Sequence, residues 1–214
     1  MSSPAGASAV TPIKAVIFDM GGILEPPFDD ALFPELARML GMPEPQLRRE
    51  RSVDGLALTL GRMTLREFYA RVAREAGSPV EADAAVARHL AVYEAATGPL
   101  DAGVLALVQA LRGHLVVACL TNTEVEVGRF NRDRGLYRAF DRAFLSTELG
   151  LHKPERAIFD LVMAELGIAP AEAVFTDDKL ENVIGARTAG LHAIQYRDLA
   201  SFSTELEDLV GRWA

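Results

Sequence analysis

Five short apolar runs constrain the fold of this chain more than any other feature. They are KAVIF at 14–18, LVVACL at 115–120, AFLS at 143–146, AVF at 173–175 and HAIQY at 192–196. Each is too short for a helix and none alternates apolar with polar residues, which is how strands covered on both faces read. The segments between them carry helical punctuation. Asp101 is placed to cap a helix with Val104, Leu107, Val108 and Leu111 on one face, stopped by Gly113. Pro154 suits the first position of another, with Ile158, Leu161, Val162 and Leu166 facing the core and Gly167 ending it. A third is expected from about Asn182 to Gly190. Strands alternating with helices predict parallel crossover units. The expected class is α/β, a doubly wound, Rossmann-like parallel sheet with ligands outside the carboxyl ends of its strands.

The alternation fails once. From Phe28 to Gly98 there is no strand signal, but helical segments ALFPELARML, TLREFYARVAREAG and SPVEADAAVARHLAVYEAA follow one another. Thr64 with Glu67, and Ser78 with Glu81, have the spacing of capping boxes. The reading is a helical cap over 28–98 inserted after the first strand, a core domain from 12–27 and 99–214, and a disordered tail over 1–11. Half of the 214 residues are apolar, enough for a sizeable core. A formal charge of -8 argues against nucleic acid and anionic membrane surfaces as partners. No apolar stretch is long enough to span a bilayer, and the first residues lack the basic and apolar regions of a secretion signal. Cys119 is the lone cysteine, so no intramolecular disulfide forms, and inside LVVACL it reads as a small buried hydrophobe. A cytoplasmic monomer or homodimer acting on a small molecule is expected.

The polar residues that follow the strands sharpen this. Asp19 ends the first strand, Thr121 and Asn122 the second, Asp177 and Asp178 the fourth, and Lys153 follows the third. A parallel sheet brings these positions to one edge. Carboxylates, a hydroxyl, an amide and an ammonium around one crevice suit a phosphate and a divalent cation, and the hard oxygens of Asp19 and Asp178 suit Mg²⁺. A carboxylate can attack phosphorus to give an aspartyl-phosphate while the metal and Lys153 offset charge on the transferring oxygens. Thr121 and Asn122 are placed to bind the same group. Lys153 is one of only three lysines in a chain that otherwise uses arginine, which points to a demand for a compact ammonium. Lys179 reads as a solvated neighbour of the acidic pair.

In order, VIFDMGGIL, CLTNT, HKPERAIFD and VFTDDKLENVIGARTAG resemble the four motifs of the haloacid dehalogenase (HAD) superfamily of hydrolases, and the helical insertion resembles its type 1 cap. The branch most like it holds the N-terminal phosphatase domain of soluble epoxide hydrolase and bacterial sugar-1-phosphate phosphatases. The resemblance implies a Mg²⁺-dependent phosphatase acting on a small phosphorylated metabolite. Asp19 would be nucleophile and metal ligand, and Thr121 and Lys153 would complete the catalytic set. Thr121, Asn122 and Lys153 would hold the phosphoryl group. Asp178 would ligate Mg²⁺ directly, Asp177 through water, and Gly21 through its carbonyl, with Asn182 in place of an outer acid.

The first motif departs from the family's Asp-x-Asp-x-(Thr/Val) at two positions. Ile23 replaces the Thr or Val and keeps the β-branch. Gly21 replaces the second Asp, which in the family protonates the leaving group and then activates water, a contribution of about 10² to 10⁴ in rate. Its loss fits a substrate with a good leaving group such as an anomeric sugar phosphate or an acyl phosphate, a slow phosphatase, or a binding protein on a hydrolase fold. His152, just before Lys153, is a candidate substitute proton donor. A haloacid dehalogenase also lacks the second Asp but has no use for the pair Asp177 and Asp178, and a response-regulator receiver carries its acidic pair after the first strand. RRER at 48–51 could meet an anionic substrate from the cap but reads first as a solvated helix face, His89 and His114 read as ordinary structural residues, and Phe28, Phe33, Tyr69 and Trp213 as packing in preference to substrate platforms.

Overall fold

The computed structural model describes residues 12–211. The expected tail over 1–11 and the packing role of Trp213 lie outside the described residues. Five parallel strands, β1 (Ala15–Phe18), β2 (Val116–Thr121), β3 (Arg142–Leu145), β4 (Ala173–Asp177) and β5 (His192–Gln195), form one sheet in the order β3-β2-β1-β4-β5. The chain runs from β1 to β2 and β3 on one side and returns to β4 on the other, so the order reverses at β1, where ligands of such sheets bind.

The absence of polar alternation is explained by burial on both faces. Val16, Phe18, Val117, Cys119, Val174 and Ile194 face one layer with α5 (Ala102–Leu111) and α10 (Leu199–Val210). Ile17, Ala118, Leu120, Phe175 and Ala193 face the other, with α8 (Arg156–Leu166) and α9 (Leu180–Thr188). Side chains alternate between faces along a strand, so a sheet buried on both sides needs apolar residues at every position. Cys119 is fully buried in the first layer, as its sequence setting predicts.

Between β1 and β2 lie α1 (Asp29–Leu40), α2 (Glu44–Thr59), α3 (Leu65–Glu75) and α4 (Ala82–Thr97), before α5. They bury an apolar cluster of their own, including Leu36, Leu40, Leu47, Leu58, Phe68 and Val72, which reaches Val127 on α6 (Val125–Asp133). The sequence reading misses α2, whose stripe is narrow: only Leu47 and Leu58 are buried along it. Thr64 and Glu67 do form a reciprocal capping box at α3. Ser78 and Glu81 do not: the residue flanking α4 is Glu81, with no side-chain cap. Ser78 is instead used at the end of α3, where its N–H bonds the Ala73 carbonyl at 2.8 Å after Gly77 turns the chain with φ +63°.

Three other boundaries shift. The helix after β3 begins at Arg156 and not at Pro154. Lys153 is held to the end of β2 by Asn122, whose Nδ2 donates to the Lys153 carbonyl and whose Oδ1 accepts from the Lys153 N–H, both at 3.0 Å. That pairing fixes residues 153–154 as a turn, and the helix starts only beyond it. Ser146 opens a short turn of helix, α7 (Ser146–Leu149), and does not extend β3. The helix from Asp101 ends at Leu111, two residues before Gly113, while Asp101 caps it by accepting from the Val104 N–H at 2.9 Å.

Candidate active site

β1 delivers Asp19 to the sheet edge, where its N–H bonds the Thr176 carbonyl at 2.9 Å and continues the ladder by one residue. β4 ends in Asp177, and Asp178 follows. Lys153 enters from the turn pinned by Asn122, with its side chain laid along the sheet at 1% exposure. Its Nζ lies 2.9 Å from Asp19 Oδ1 and 2.7 Å from Asp177 Oδ2, and donates to the Leu120 carbonyl at 2.8 Å. The ring of Phe175 lies beneath it, 5.3 Å from centroid to Nζ, a cation–π contact that adds to the attraction. All three N–H donors of the ammonium thus have an oxygen partner, and its position is fixed.

Asp177 is saturated as well. Its Oδ2 accepts from Lys153 and, at 2.9 Å, from Asn182 Nδ2, while its Oδ1 accepts from the Lys179 N–H at 2.9 Å. Asp178 differs: its Oδ1 is buried and has no partner. Ligand oxygens of Asp19, Asp177 and Asp178 lie within 4.8 Å of one another. Three carboxylates share one buried ammonium, which leaves a charge deficit that a divalent cation would balance. An orphaned Asp178 oxygen, hard oxygen donors and that deficit fit Mg²⁺.

The electrostatics agree. Burial pushes the Asp19 carboxyl up to about 6 against the pull of Lys153. Burial and then the charge of Asp177 raise Asp178. Burial works against the charge of Lys153, but Asp19 and Asp177 outweigh it and hold the ammonium above its ordinary range.

The two glycines after Asp19 play different parts. Gly22 has φ +75°, and a Cβ there would sit 2.4 Å from Asp178 Oδ2, so the acidic loop closes on β1 only over a glycine. At Gly21 a Cβ would meet nothing within 4 Å and the backbone does not demand glycine. A side chain fits there; the chain simply lacks one.

The cluster borders a cavity of about 420 Å³ that reaches the helical insertion. Asp19, Gly21, Thr121, Asn122, Lys153 and Asp178 line it, so all the site residues expected from sequence come together there except Asp177, which stands behind Lys153 as its anchor. His152 also borders it, but burial lowers its pKa, which makes it a poorer proton donor near neutrality than its position suggests. Glu25, Tyr93, Glu124 and Asn131 are among the lining residues that escape the sequence reading, and Arg51 lines the cavity too. Arg51 belongs to RRER, and only part of that run is solvated. Arg48 pairs with Glu44 and Asp30 near the surface, whereas Arg51 turns to the cavity and pairs with Glu124 of the core. Phe28, read as packing, stacks edge-on against Tyr93 at 5.0 Å and lines the cavity too. Phe33 and Tyr69 are buried as expected, and His89 is buried against Tyr69.

A doubly wound sheet that gathers carboxylates and a fixed ammonium at its switch point defines an α/β protein built to hold a charged group beside a cation. The family described as haloacid dehalogenase-like hydrolase matches residues 13–190. The chain belongs to that family and is a hydrolase. It is 30% identical over 210 residues to a sesquiterpene phosphatase from Aspergillus oryzae, covering 94% of this chain and 98% of that one. It is also 30% identical over 189 residues to a phosphatase from Mycobacterium tuberculosis, covering 85% and 86%. Among solved structures, a HAD family enzyme from Bacteroides thetaiotaomicron in complex with magnesium and inorganic phosphate has the same fold, with TM-score 0.74 and 22% identity over 89% of this chain and 98% of that one. No single helix among the described residues is long and apolar enough to cross a membrane.

Proposed function

We propose that the protein is a Mg²⁺-dependent phosphatase that hydrolyses a small phosphate monoester through an aspartyl-phosphate on Asp19. The observation that carries this reading is the bridge from Asp19 through Lys153 to Asp177, with an unpartnered Asp178 oxygen beside it. The phosphatases among its relatives support it, as does the complex with magnesium and phosphate formed by the enzyme of like fold.

An Asp19 carboxylate oxygen attacks phosphorus, and the bond to the leaving-group oxygen breaks as the aspartyl-phosphate forms. Lys153, locked by Asp177 and the Leu120 carbonyl, holds the nucleophile and faces the transferring oxygens, and Thr121 donates to the same group. Asp19, Asp178 and the Gly21 carbonyl would hold Mg²⁺, with Asp177 acting on it only at a remove. Bound there, the ion supplies positive charge to the phosphoryl oxygens. Water then attacks phosphorus, the bond between phosphorus and the Asp19 oxygen breaks, and inorganic phosphate leaves with the water's proton passed to a phosphoryl oxygen or to solvent, which returns Asp19 as a carboxylate. With Gly21 in the acid's place, the leaving group takes its proton from solvent or from the substrate itself, which favours esters whose alcohol leaves readily.

Residues 28–98 act as a cap on a core made of 12–27 and 99–214, and its closure excludes bulk water. Among the contacts that tie the parts are Arg51 with Glu124, Tyr93 with Glu25 and Asn131, and Glu126 of α6, which accepts from the Leu65 and Arg66 N–H groups at 3.0 and 3.2 Å at the start of α3. The test is phosphate release from sugar 1-phosphates, an isoprenoid monophosphate and an activated aryl phosphate, with Mg²⁺ or EDTA. Turnover that needs Mg²⁺ is the expected result, and silence on every ester contradicts the proposal. Halide release from a 2-haloacid in EDTA would instead indicate a dehalogenase.

Gly21 favours a second reading, a ligand-binding protein on the same fold. It predicts that activity appears only in Gly21→Asp.

A further inference from the structure

Three residues of the cavity wall have no part in the reaction above. Glu25 follows β1, Tyr93 lies on α4 of the insertion and Asn131 on α6, and they are 6%, 1% and 3% exposed. Asn131 Nδ2 lies 2.6 Å from the Tyr93 hydroxyl oxygen, which lies 2.7 and 2.8 Å from the two oxygens of Glu25. The amide nitrogen only donates and the carboxylate accepts, so the hydroxyl's single proton points to Glu25. The chain of donors therefore runs from Asn131 through Tyr93 to Glu25 and ends in acceptors on both sides. Asn131 Oδ1 is buried with no partner at all, and Glu25 keeps lone pairs beyond those Tyr93 uses.

A buried acceptor without a donor is destabilising, a cost that a bound donor recovers. Arg51 is committed to Glu124 and Lys153 to Asp19 and Asp177, while Arg134, whose charge reaches Glu25, pairs with Glu94 at 3.6 Å and keeps its Nη1 buried without a partner; none of them donates to Asn131 Oδ1. Phe28, edge-on to Tyr93, supplies apolar surface beside the acceptors. A neutral group that donates a hydrogen bond fits this wall, whereas a carboxylate only accepts and finds no donor in Asn131 Oδ1 or the Glu25 oxygens.

We infer that Glu25, Tyr93 and Asn131 form a specificity subsite for a hydroxyl on the leaving group. Preferred substrates are then monophosphates of neutral, hydroxylated molecules, in preference to phosphorylated acids. The inference rests on the phosphatase reading for what it says of substrates, but binding at the subsite is measured without turnover.

The experiment is calorimetric binding of phosphonates, whose carbon–phosphorus bond the enzyme does not cleave, to the full chain in Mg²⁺. Alkylphosphonates with chains of three to six carbons are compared with their ω-hydroxy and ω-carboxy counterparts. At the length that reaches the subsite, the hydroxy compound binds about tenfold or more tightly than the alkyl one, the worth of one hydrogen bond to a buried charged acceptor, and the carboxy compound binds more weakly than either. In Asn131→Leu, close in volume but without the acceptor, the hydroxyl preference falls below about twofold; Glu25→Gln reduces it as well and serves if the first variant does not fold. Equal affinity for hydroxy and alkyl chains at every length, failure of the hydroxy compounds to bind, or a preference intact in both variants overturns the subsite. Aryl phosphate turnover, run in parallel, separates the two claims: turnover without hydroxyl preference removes the subsite alone, and hydroxyl preference without turnover removes the phosphatase.

Discussion

The sheet and the helical insertion solve the same problem, burying apolar surface, in ways that leave them different freedoms. The sheet is apolar through its buried middle, and apart from Arg142 and His192, which open β3 and β5, its polar residues gather at the carboxyl ends, where Asp19, Thr121 and Asp177 follow directly from strand register. Moving any of them means moving a strand packed on both faces. The insertion buries its own cluster among α1 to α4, and the side chains it lends to the cavity include Arg51 and Tyr93, helix positions whose replacement leaves the sheet untouched. On the proposed reading this is a division of labour: the sheet edge fixes the chemistry, and the insertion shares the wall that selects substrate with Glu25 and Asn131 of the core.

Substitutions that break the sheet edge have the largest expected effects. Asp19→Asn is expected to lower kcat on the order of 10³-fold or more, because it removes the proposed nucleophile. It also tests the strain of the site. A carboxyl whose folded-state pKa is raised from 3.8 to about 6 favours folding only while protonated, and that contribution is lost as pH rises through about 6. In metal-free protein near neutral pH, Asp19→Asn therefore melts a few degrees higher than wild type while being inactive; a lower melting temperature contradicts the burial argument. Gly22→Ala comes next. It forces a Cβ onto Asp178 at positive φ, with strain of about 1 to 3 kcal/mol, and raises the Mg²⁺ concentration needed for half-maximal activity. An unchanged Mg²⁺ requirement would separate Asp178 from the metal.

A smaller effect is read from pH alone. Only ionised Asp19 is nucleophilic, so kcat/KM at low Mg²⁺ falls as pH drops below about 6, by about tenfold for each unit. A flat acid limb down to the ordinary carboxylate range would mean that Asp19 is not the titrating nucleophile. The smallest expected effect lies in the insertion. Arg51→Ala releases Glu124 and alters KM by a few-fold with less change in kcat, read from steady-state kinetics on one ester. A loss in kcat as large as that of Asp19→Asn would erase the distinction between the two regions.

The same contrast explains what the sequence discloses. A strand buried on both faces leaves an uninterrupted apolar run, and the residue after it announces itself; Asp19, Thr121, Asn122, Asp177 and Asp178 are legible for that reason. Lys153 is legible through its rarity in an arginine-using chain. Helix α2 is not, because only two of its residues are buried and its run of charge obscures the period. Tyr93 and Phe28 read as packing because an aromatic residue at a cavity wall has the same helical spacing as one in a core. Glu25 had one available signal, an isolated acid between an apolar run and two prolines, a short reach beyond Gly21. Asn131 had none, since its partner is on a helix far away in the chain. Thr64 forms the capping box that its spacing predicts and Ser78 does not, because the same spacing serves the exit from α3.

The most direct test of the account is to quench the reaction of wild-type enzyme with a readily cleaved phosphate ester in acid, where acyl phosphates persist, and to map the modified peptide by mass spectrometry. The account predicts one phosphoryl group on the peptide that carries Asp19, present with Mg²⁺, lost with EDTA and absent from Asp19→Asn. Turnover of the ester with no phosphopeptide there, or with the phosphoryl group on another residue, would contradict it.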